Sequence, residues 1–340
     1  MAEVKVCGGI RWRPELAKKR RFTLGRILRV LRPYSGVPAS ALMLPPIAEN
    51  SSTQGYLSLV LIAKNEATYI LEWIEFHRML GVDHVYLYDN GSTDDTLESV
   101  EPYIESGYLT WIPWVSFDLN ARPQFQAYAH ALCNFGSQWR WMGFIDVDEF
   151  FFPLQTDSLK SALSFYEGLP AIALHWHMFG FSGHKQRPVG LVIENYTKRA
   201  PVPSLLPDAE KILKWKSIVH PPSIKAVCGP HLFMLRDGRI GAYDENREWI
   251  VKDSRPHSAS SILRLNHYFT KSESELATKM AKGSVGGKLV NNLGPKPWLG
   301  DRANSVEAET VTDDSILRFV AALNARLASE TVAHRGTSVG

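Results

Sequence analysis

The chain has only three cysteines in 340 residues, Cys7, Cys133 and Cys228, an odd number spread far apart with no metal-ligand spacing. That argues against a disulfide framework and a cysteine-based metal site, and for a reducing compartment. No run approaches the ~20 apolar residues that a membrane-spanning helix needs. Arg and Lys interrupt the start of the chain, so it lacks the apolar core of a signal peptide. The expectation is a cytoplasmic protein or one held peripherally on a membrane. A Gly-rich phosphate loop with its lysine is missing, which weighs against a P-loop nucleotidyl or phosphoryl transferase. Net charge is small at +3. No nucleic-acid recognition module accompanies the basic residues, so nucleic acid is not the expected partner.

What charge there is lies unevenly. Residues 1–34 hold ten Lys or Arg against two Glu, a local charge of +8. Lys18-Lys19-Arg20-Arg21 leads into Phe22, Leu24, Ile27, Leu28, Val30 and Leu31, with Arg26, Arg29 and Arg32 between them. This basic amphipathic pattern suits an anionic membrane surface or a partner; the alternative is a disordered arm. Pro45 to Gly55 reads as linker. The expected division is a basic tail and linker over 1–55, a folded domain over 56–285, and a loop with a C-terminal amphipathic helix over 286–340.

From Tyr56 onward strands and helices alternate. Apolar runs predict strands at Leu57–Ala63, His84–Tyr88, Tyr108–Val115 and Trp139–Ile145. Between them, Ile70, Trp73, Ile74 and Leu80 share one helical face that Gly81 ends. Leu97, Val100 and Ile104 share another, which Ser92 or Thr93 would cap. Gln124 to Gln138 is helical in pattern. This alternation predicts an α/β fold with parallel strands, and ligands then bind beyond the strands' carboxyl ends. The second half is less regular. Strands are expected at Ala171–Phe179, Lys211–Val219, Ile224–Val227, Leu232–Leu235 and Ile262–Phe269, with a hairpin at Asp237-Gly238. Ser272 and Glu275 form a capping box for a helix to Lys282. Residues 284–302 read as loop, and a last helix carries Ile316, Phe319, Val320, Leu323 and Leu327 on one face.

The chemistry centres on Phe144-Ile145-Asp146-Val147-Asp148-Glu149-Phe150. Charge set among so much apolar surface needs a partner, and a divalent cation is an economical one. On an extended chain Asp146 and Asp148 project to the same side. Oxygen ligands suit Mg²⁺ or Mn²⁺ with positions left for phosphates. The polar strand ends Lys64-Asn65-Glu66 and Asp89-Asn90 should converge on the same edge.

The motifs Leu-Ile-Ala-Lys-Asn-Glu-Ala, Tyr-Leu-Tyr-Asp-Asn-Gly-Ser-Thr-Asp-Asp-Thr and Phe-Ile-Asp-Val-Asp-Glu-Phe resemble those of glycosyltransferase family 92 and the family-2-like transferases. So do His-Met-Phe-Gly-Phe-Ser-Gly-His (177–184), Ile-Glu-Asn-Tyr-Thr (193–197) and Asn-His-Tyr-Phe-Thr-Lys-Ser (266–272). The resemblance spans roughly residues 56–285. It implies a GT-A fold, a Rossmann-like mixed sheet with a parallel nucleotide-binding half and an irregular acceptor half. It also implies a nucleotide-sugar donor, UDP-linked, a Mn²⁺ or Mg²⁺ cofactor, inversion at the sugar, often galactose, and a glycan, polysaccharide or glycolipid acceptor.

Under that resemblance Asp148 and Asp146 hold the metal, Asp146 also by way of water or the ribose, and His267 returns to it as a further ligand. Glu149 either orients them or is a solvated neighbour. Asp89 accepts from the nucleobase or else opens an Asx turn. Asn65 and Glu66 line the pocket or simply start a helix. Gln126 touches the donor, while Lys216 and Lys271 pair with phosphate or lie on the surface. For the general base that an inverting transfer requires, Glu194 is the first choice and Glu245 the second, each with a plain surface carboxylate as the alternative. His175, Trp176, His177 and His184 shape the acceptor side. The rival readings are a metal-dependent nucleotidyl or phosphoryl transferase, and an inactive carbohydrate-binding protein of the same fold.

Overall fold

A computed structural model describes residues 38–337 apart from 39, 51–52, 116–121, 202–213, 252–259 and 282–296. The basic stretch at 18–32 and the start of the expected strand at 211 lie outside these residues. In chain order the elements are β1 (Leu42–Met43), β2 (Gly55–Ala63), α1 (Ile70–Met79), β3 (His84–Asp89), α2 (Thr96–Glu105), β4 (Leu109–Pro113), α3 (Pro123–Phe135), β5 (Trp139–Phe144) and β6 (Glu149–Pro153). There follow α4 (Leu159–Leu163), β7 (Ala171–Met178), α5 (Val192–Asn195), β8 (Lys198–Arg199), β9 (Trp215–Val219), β10 (Ile224–Val227), β11 (Phe233–Leu235), β12 (Ala242–Tyr243) and β13 (Trp249–Ile250). The last are β14 (Leu263–His267), α6 (Glu273–Ala281), α7 (Pro297–Glu307), β15 (Val311–Thr312) and α8 (Val320–Thr337).

The central sheet runs β13-β12-β7-β9-β5-β2-β3-β4, with β14 joining β7 and β6. β5, β2, β3 and β4 are mutually parallel, as right-handed crossovers through α1, α2 and α3 require. β9 enters antiparallel between β5 and β7, and β14 is parallel to β7 and antiparallel to β6. This is the mixed sheet expected, with a parallel first half and an irregular second.

Alternation along β2 sends Leu57, Leu59 and Leu61 into one buried layer and Val60 into another. The first layer takes α1, β6 and the C-terminal segment. There Phe76 meets Phe150 and Phe319 edge to face, at centroid distances of 5.2 and 5.7 Å. Buried Glu75 accepts from Arg326 of α8 at 2.6 Å. The second layer takes α3 through Tyr128, Ala131 and Leu132.

Some local expectations are corrected. Leu42-Met43, expected in the tail ahead of the linker, pairs with β10, and Leu44 is buried beside it. Residues 297–302, expected as loop, begin α7, with Pro297 at its first turn, where a missing N–H costs nothing. Neither Ser92 nor Thr93 caps α2. Both are bonded to Asp89 and Asn65, and Asp94 instead accepts the Thr96 N–H at 3.1 Å. The capping box at Ser272 and Glu275 does form, with Ser272 N–H donating to the Glu275 carboxylate at 3.0 Å.

Candidate active site

The acidic stretch is a turn between β5 and β6, closed by the Glu149 N–H donating to the Asp146 carbonyl at 3.0 Å. Trp73 of α1 fastens it from beneath, its indole N–H shared between the Asp146 and Glu149 carbonyls at 3.1 and 2.9 Å. One helical turn on, His77 Nε2 accepts the Phe151 N–H at 3.1 Å. The extended strand expected for Asp146 and Asp148 is therefore a turn, though both carboxylates lie in the field of His267 and Lys279. Each carboxylate takes a different lysine. Lys216 donates to Asp146 Oδ2 at 2.7 Å, and Gln124 Nε2 to its Oδ1 at 3.1 Å. Lys279 donates to Asp148 Oδ2 at 2.7 Å, while His267 Nε2 lies 3.4 Å from Oδ1.

Topology explains the meeting. The carboxyl ends of β5, β7 and β14 share one sheet edge, and antiparallel β9 brings its beginning, hence Lys216, to the same place. Glu149 is the register partner of His267. Glu149 is fully buried; its Oε2 accepts the Asp146 N–H at 2.7 Å and Oε1 has no partner. Burial pushes its carboxyl well above the usual range, and Asp146 and Asp148 add to this against Lys216. Its side chain orients the turn through the Asp146 N–H. Lys216 is 1% exposed. Burial alone would discharge it, but Asp146 and Glu149 hold its ammonium well above the usual range. Burial likewise opposes ionisation of Asp148, but Lys279 and then His267 hold it well below its ordinary value.

The other strand ends line this edge. Asn65 Oδ1 accepts the Thr93 N–H at 2.7 Å, and Asn65 itself takes a left-handed φ of 57°. Glu66 lies in the field of Lys271 and Lys279. Asp89 accepts from the Ser92 N–H at 3.0 Å and its hydroxyl at 2.5 Å, an Asx-type turn at the end of β3. Gln126 is exposed, two residues along α3 from the Gln124 that touches Asp146. Lys271, at φ 49°, places its ammonium 3.5 Å from the centre of the Tyr69 ring. Burial lowers its pKa, against Glu66 and Asp148.

On the acceptor side, Glu72 of α1 accepts the first N–H groups of α5, Val192 at 2.8 Å and Ile193 at 3.1 Å. Burial pushes its carboxyl up to about 7, against those bonds and the charges of Lys271 and Arg187. α5 carries Glu194, which is exposed. Glu245 is elsewhere: its carboxylate accepts the Ser261 N–H at 2.7 Å, six residues before His267. At about 3.3 Å per residue that is roughly 20 Å from the acidic turn. His177 is 3.1 Å from the Ser260 hydroxyl and His184 3.1 Å from the Asn195 carbonyl. His175 packs near Trp215 at 5.9 Å. Trp176 is buried against the His267 ring, centroids 4.3 Å apart, so it sets the imidazole rather than presenting a stacking face.

Sequence reasoning missed Gln124, Lys279, Trp73 and Glu72. Lys279 was within reach of it: the capping box fixes the phase of α6, and Leu276, three residues earlier, is the buried face. The other three needed the fold to show which helix faces the turn.

Among the described residues no three His, Cys, Asp or Glu side chains gather as a metal site. Of the expected trio, Asp148 and His267 face each other, while Asp146 bonds Lys216 and Gln124 and lies in the field of His267. That pair fits a divalent cation. Burial lowers the His267 pKa and so keeps the imidazole neutral, against the pull of Asp148. Among the described residues its Nδ1 is buried with no partner, and its Nε2 faces a carboxylate oxygen at 3.4 Å, beyond a good hydrogen bond. A cation shared by Asp148 and His267 would satisfy a carboxylate and an imidazole, a normal donor set for Mn²⁺.

A Ricinus communis protein named for glycosyltransferase family 92 is 30% identical over 265 residues, 73% of this chain and 42% of that protein. A galactan beta-1,4-galactosyltransferase of Arabidopsis thaliana is 31% identical over 105 residues, 28% of this chain and 19% of that one. The chain thus spans less than half the length of these curated relatives. The solved structure of S. aureus TarS 1-349 in complex with UDP is 20% identical, with a TM-score of 0.32 over 49% of this chain and 47% of that one. The family model for glycosyltransferase family 92 matches residues 60–244, more than half of the 340. With that match lying across the strands that build the acidic edge, the chain belongs to glycosyltransferase family 92.

Proposed function

We propose that this chain is an inverting, divalent-metal-dependent glycosyltransferase that moves a sugar from a UDP-linked donor to a glycan, polysaccharide or glycolipid acceptor. The observation that carries the reading is the gathering of Asp148, His267, Lys216, Lys271 and Lys279 at the carboxyl edge of a parallel sheet. Carboxylate and imidazole suit a cation, and ammonium groups suit a diphosphate. The likeness to a galactosyltransferase makes galactose the first sugar to test.

Asp148 and His267 would hold Mn²⁺ or Mg²⁺, which stabilises charge on the departing diphosphate. Lys271, held against Tyr69, faces that charge as well. Asp89 and Asn65, at the ends of β3 and β2, line the nucleoside side. The acceptor hydroxyl oxygen attacks the anomeric carbon as the bond from that carbon to the diphosphate oxygen breaks. The electron pair leaves with UDP and the hydroxyl proton passes to a carboxylate. Glu194 is the base in this reading, since it is exposed on α5, whose first N–H groups bond Glu72 in the field of Lys271, whereas Glu245 bonds Ser261 ahead of β14.

Calorimetry with a panel of nucleotide sugars, with Mn²⁺ and in chelator, tests the reading. A UDP-sugar should bind in Mn²⁺ and be slowly hydrolysed, and Asp148→Ala should lose both. Binding that is equal in chelator would overturn the metal role. Mn²⁺-dependent sugar binding with no hydrolysis or transfer would favour an inactive carbohydrate-binding protein, and cleavage at a phosphate rather than at the sugar would favour a nucleotidyl transferase.

A further inference from the structure

We infer that Lys279 is a built-in counter-cation: it neutralises Asp148 until the donor arrives, then transfers to the donor's diphosphate, so that metal and nucleotide bind as a unit. This rests on the nucleotide-sugar reading of the same site.

The argument lies in the contrast among three lysines. Lys216 is 1% exposed, sits on a strand paired on both sides, and contacts Asp146 at 2.7 Å and Glu149 at 3.4 Å. Nothing lets it leave. Lys271 is held over the Tyr69 ring on a left-handed backbone. Lys279 differs. It stands on α6, its side chain is 43% exposed, it is held by one carboxylate oxygen at 2.7 Å and the Phe269 carbonyl at 3.2 Å, and it lies 5.1 Å from the centre of the Phe269 ring, farther than Lys271 from that of Tyr69. A flexible stem with a half-solvated head can swing while its backbone stays in place.

Lys279 also touches the carboxylate that the metal reading needs. A dication on Asp148 would sit beside this ammonium and repel it. A diphosphate brings charge of the opposite sign and gives the displaced ammonium a new partner. Metal alone must therefore work against Lys279, whereas metal with nucleotide need not. That difference is a coupling between two ligands, and it is reciprocal.

The test uses the full chain and titrates Mn²⁺ alone, UDP alone and each in the presence of the other, following free Mn²⁺ by electron paramagnetic resonance. The wild type should bind Mn²⁺ about tenfold more tightly when UDP is present, within the usual range of such couplings. Lys279→Met should bind Mn²⁺ alone about tenfold more tightly than the wild type, bind UDP with Mn²⁺ more weakly, and lose most of the coupling. Lys279→Arg keeps the charge and should keep the coupling. Unchanged or weaker binding of Mn²⁺ alone to Lys279→Met, or loss of coupling in Lys279→Arg, overturns the inference while leaving the transferase reading standing. A wild type that binds no UDP with Mn²⁺ overturns both. Thermal melts of the variants verify that the fold is intact, which the exposure of Lys279 favours.

Discussion

β14 carries a charged cluster at each end, and the two are built differently. Near its start, Arg264 donates to Asp313, which also accepts from Arg199 Nε at 2.5 Å and from the Ser315 hydroxyl at 2.7 Å. Every oxygen of Asp313 is engaged, and both cations are arginines, which do not discharge and whose planar heads fix direction. Three residues further on, His267 joins Asp148, Asp146, Glu149, Lys216 and Lys279. Here the cations are lysines and a histidine, and among the described residues Glu149 Oε1 and His267 Nδ1 are buried without partners, as Arg264 Nε is in the first cluster. The arginine cluster ties β8, β14 and β15 together through one carboxylate. The cluster of lysine and imidazole, with one lysine half-exposed, leaves capacity for a ligand. The difference assigns the first to stability and the second to chemistry.

Substitutions of like size at the two ends should separate those roles. Asp148→Asn removes the charge that a cation needs. We expect turnover of the UDP-sugar to fall by at least about a thousandfold, the scale seen when a group stabilising the transition state is lost. Urea unfolding should shift little, because the lysine it frees is half in water. Asp313→Asn should do the reverse. It strands two buried guanidinium groups, and removing one partner of a buried pair costs about 3–5 kcal/mol. If Asp313→Asn costs turnover but not stability, the assignment of the two clusters is wrong.

The acid limb of the stability curve sharpens the contrast with a smaller effect. Burial opposes ionisation of Asp313, but Arg199 and Arg264 overcome it and bring its pKa down to about 2. The unfolded state then binds more protons between about pH 4 and pH 2, so stability rises with pH through that window and is lost as pH falls through it. The depression corresponds to about 2 kcal/mol. A Asp313→Ala background should flatten that part of the wild-type curve; an unchanged slope would mean that other carboxylates carry it.

The two clusters were also unequally legible. Asp146, Asp148 and His267 could be read because each ends an apolar strand, and strand ends in an alternating α/β chain are where ligands sit. Asp313 follows a two-residue strand with no periodic signal. Its arginine partners are 49 and 114 residues away, and nothing local marks such a pairing. Within the site, the strands were legible and the geometry of the turn was not. The Asp-Val-Asp spacing fits a strand and a turn equally well, and the choice is made by Trp73, more than seventy residues earlier. The capping box gave the face on which Lys279 lies, but its partner was hidden for a related reason: only the docking of α6 beside Asp148 pairs the two.

Trp73 supplies the mildest way to probe the chemical end of β14. Phenylalanine keeps most of the buried ring and removes one N–H that two carbonyls share. The Asp146 carbonyl retains the Glu149 N–H, so the loss should be close to one ordinary hydrogen bond, about 1 kcal/mol in urea unfolding. The functional effect follows from where that bond lies. Without it the backbone between Asp146 and Glu149 keeps its own turn bond, the Glu149 side chain and the Tyr268 N–H donated to the Asp148 carbonyl at 2.8 Å, but loses its tie to α1, so the turn as a whole is less firmly placed. Affinity for UDP with Mn²⁺ should fall by about threefold to tenfold in Trp73→Phe, while the acid limb governed by Asp313 stays where it was. A change in the acid limb with unaltered nucleotide affinity would mean that the indole serves the core shared by both ends of the strand, and not the acidic turn in particular.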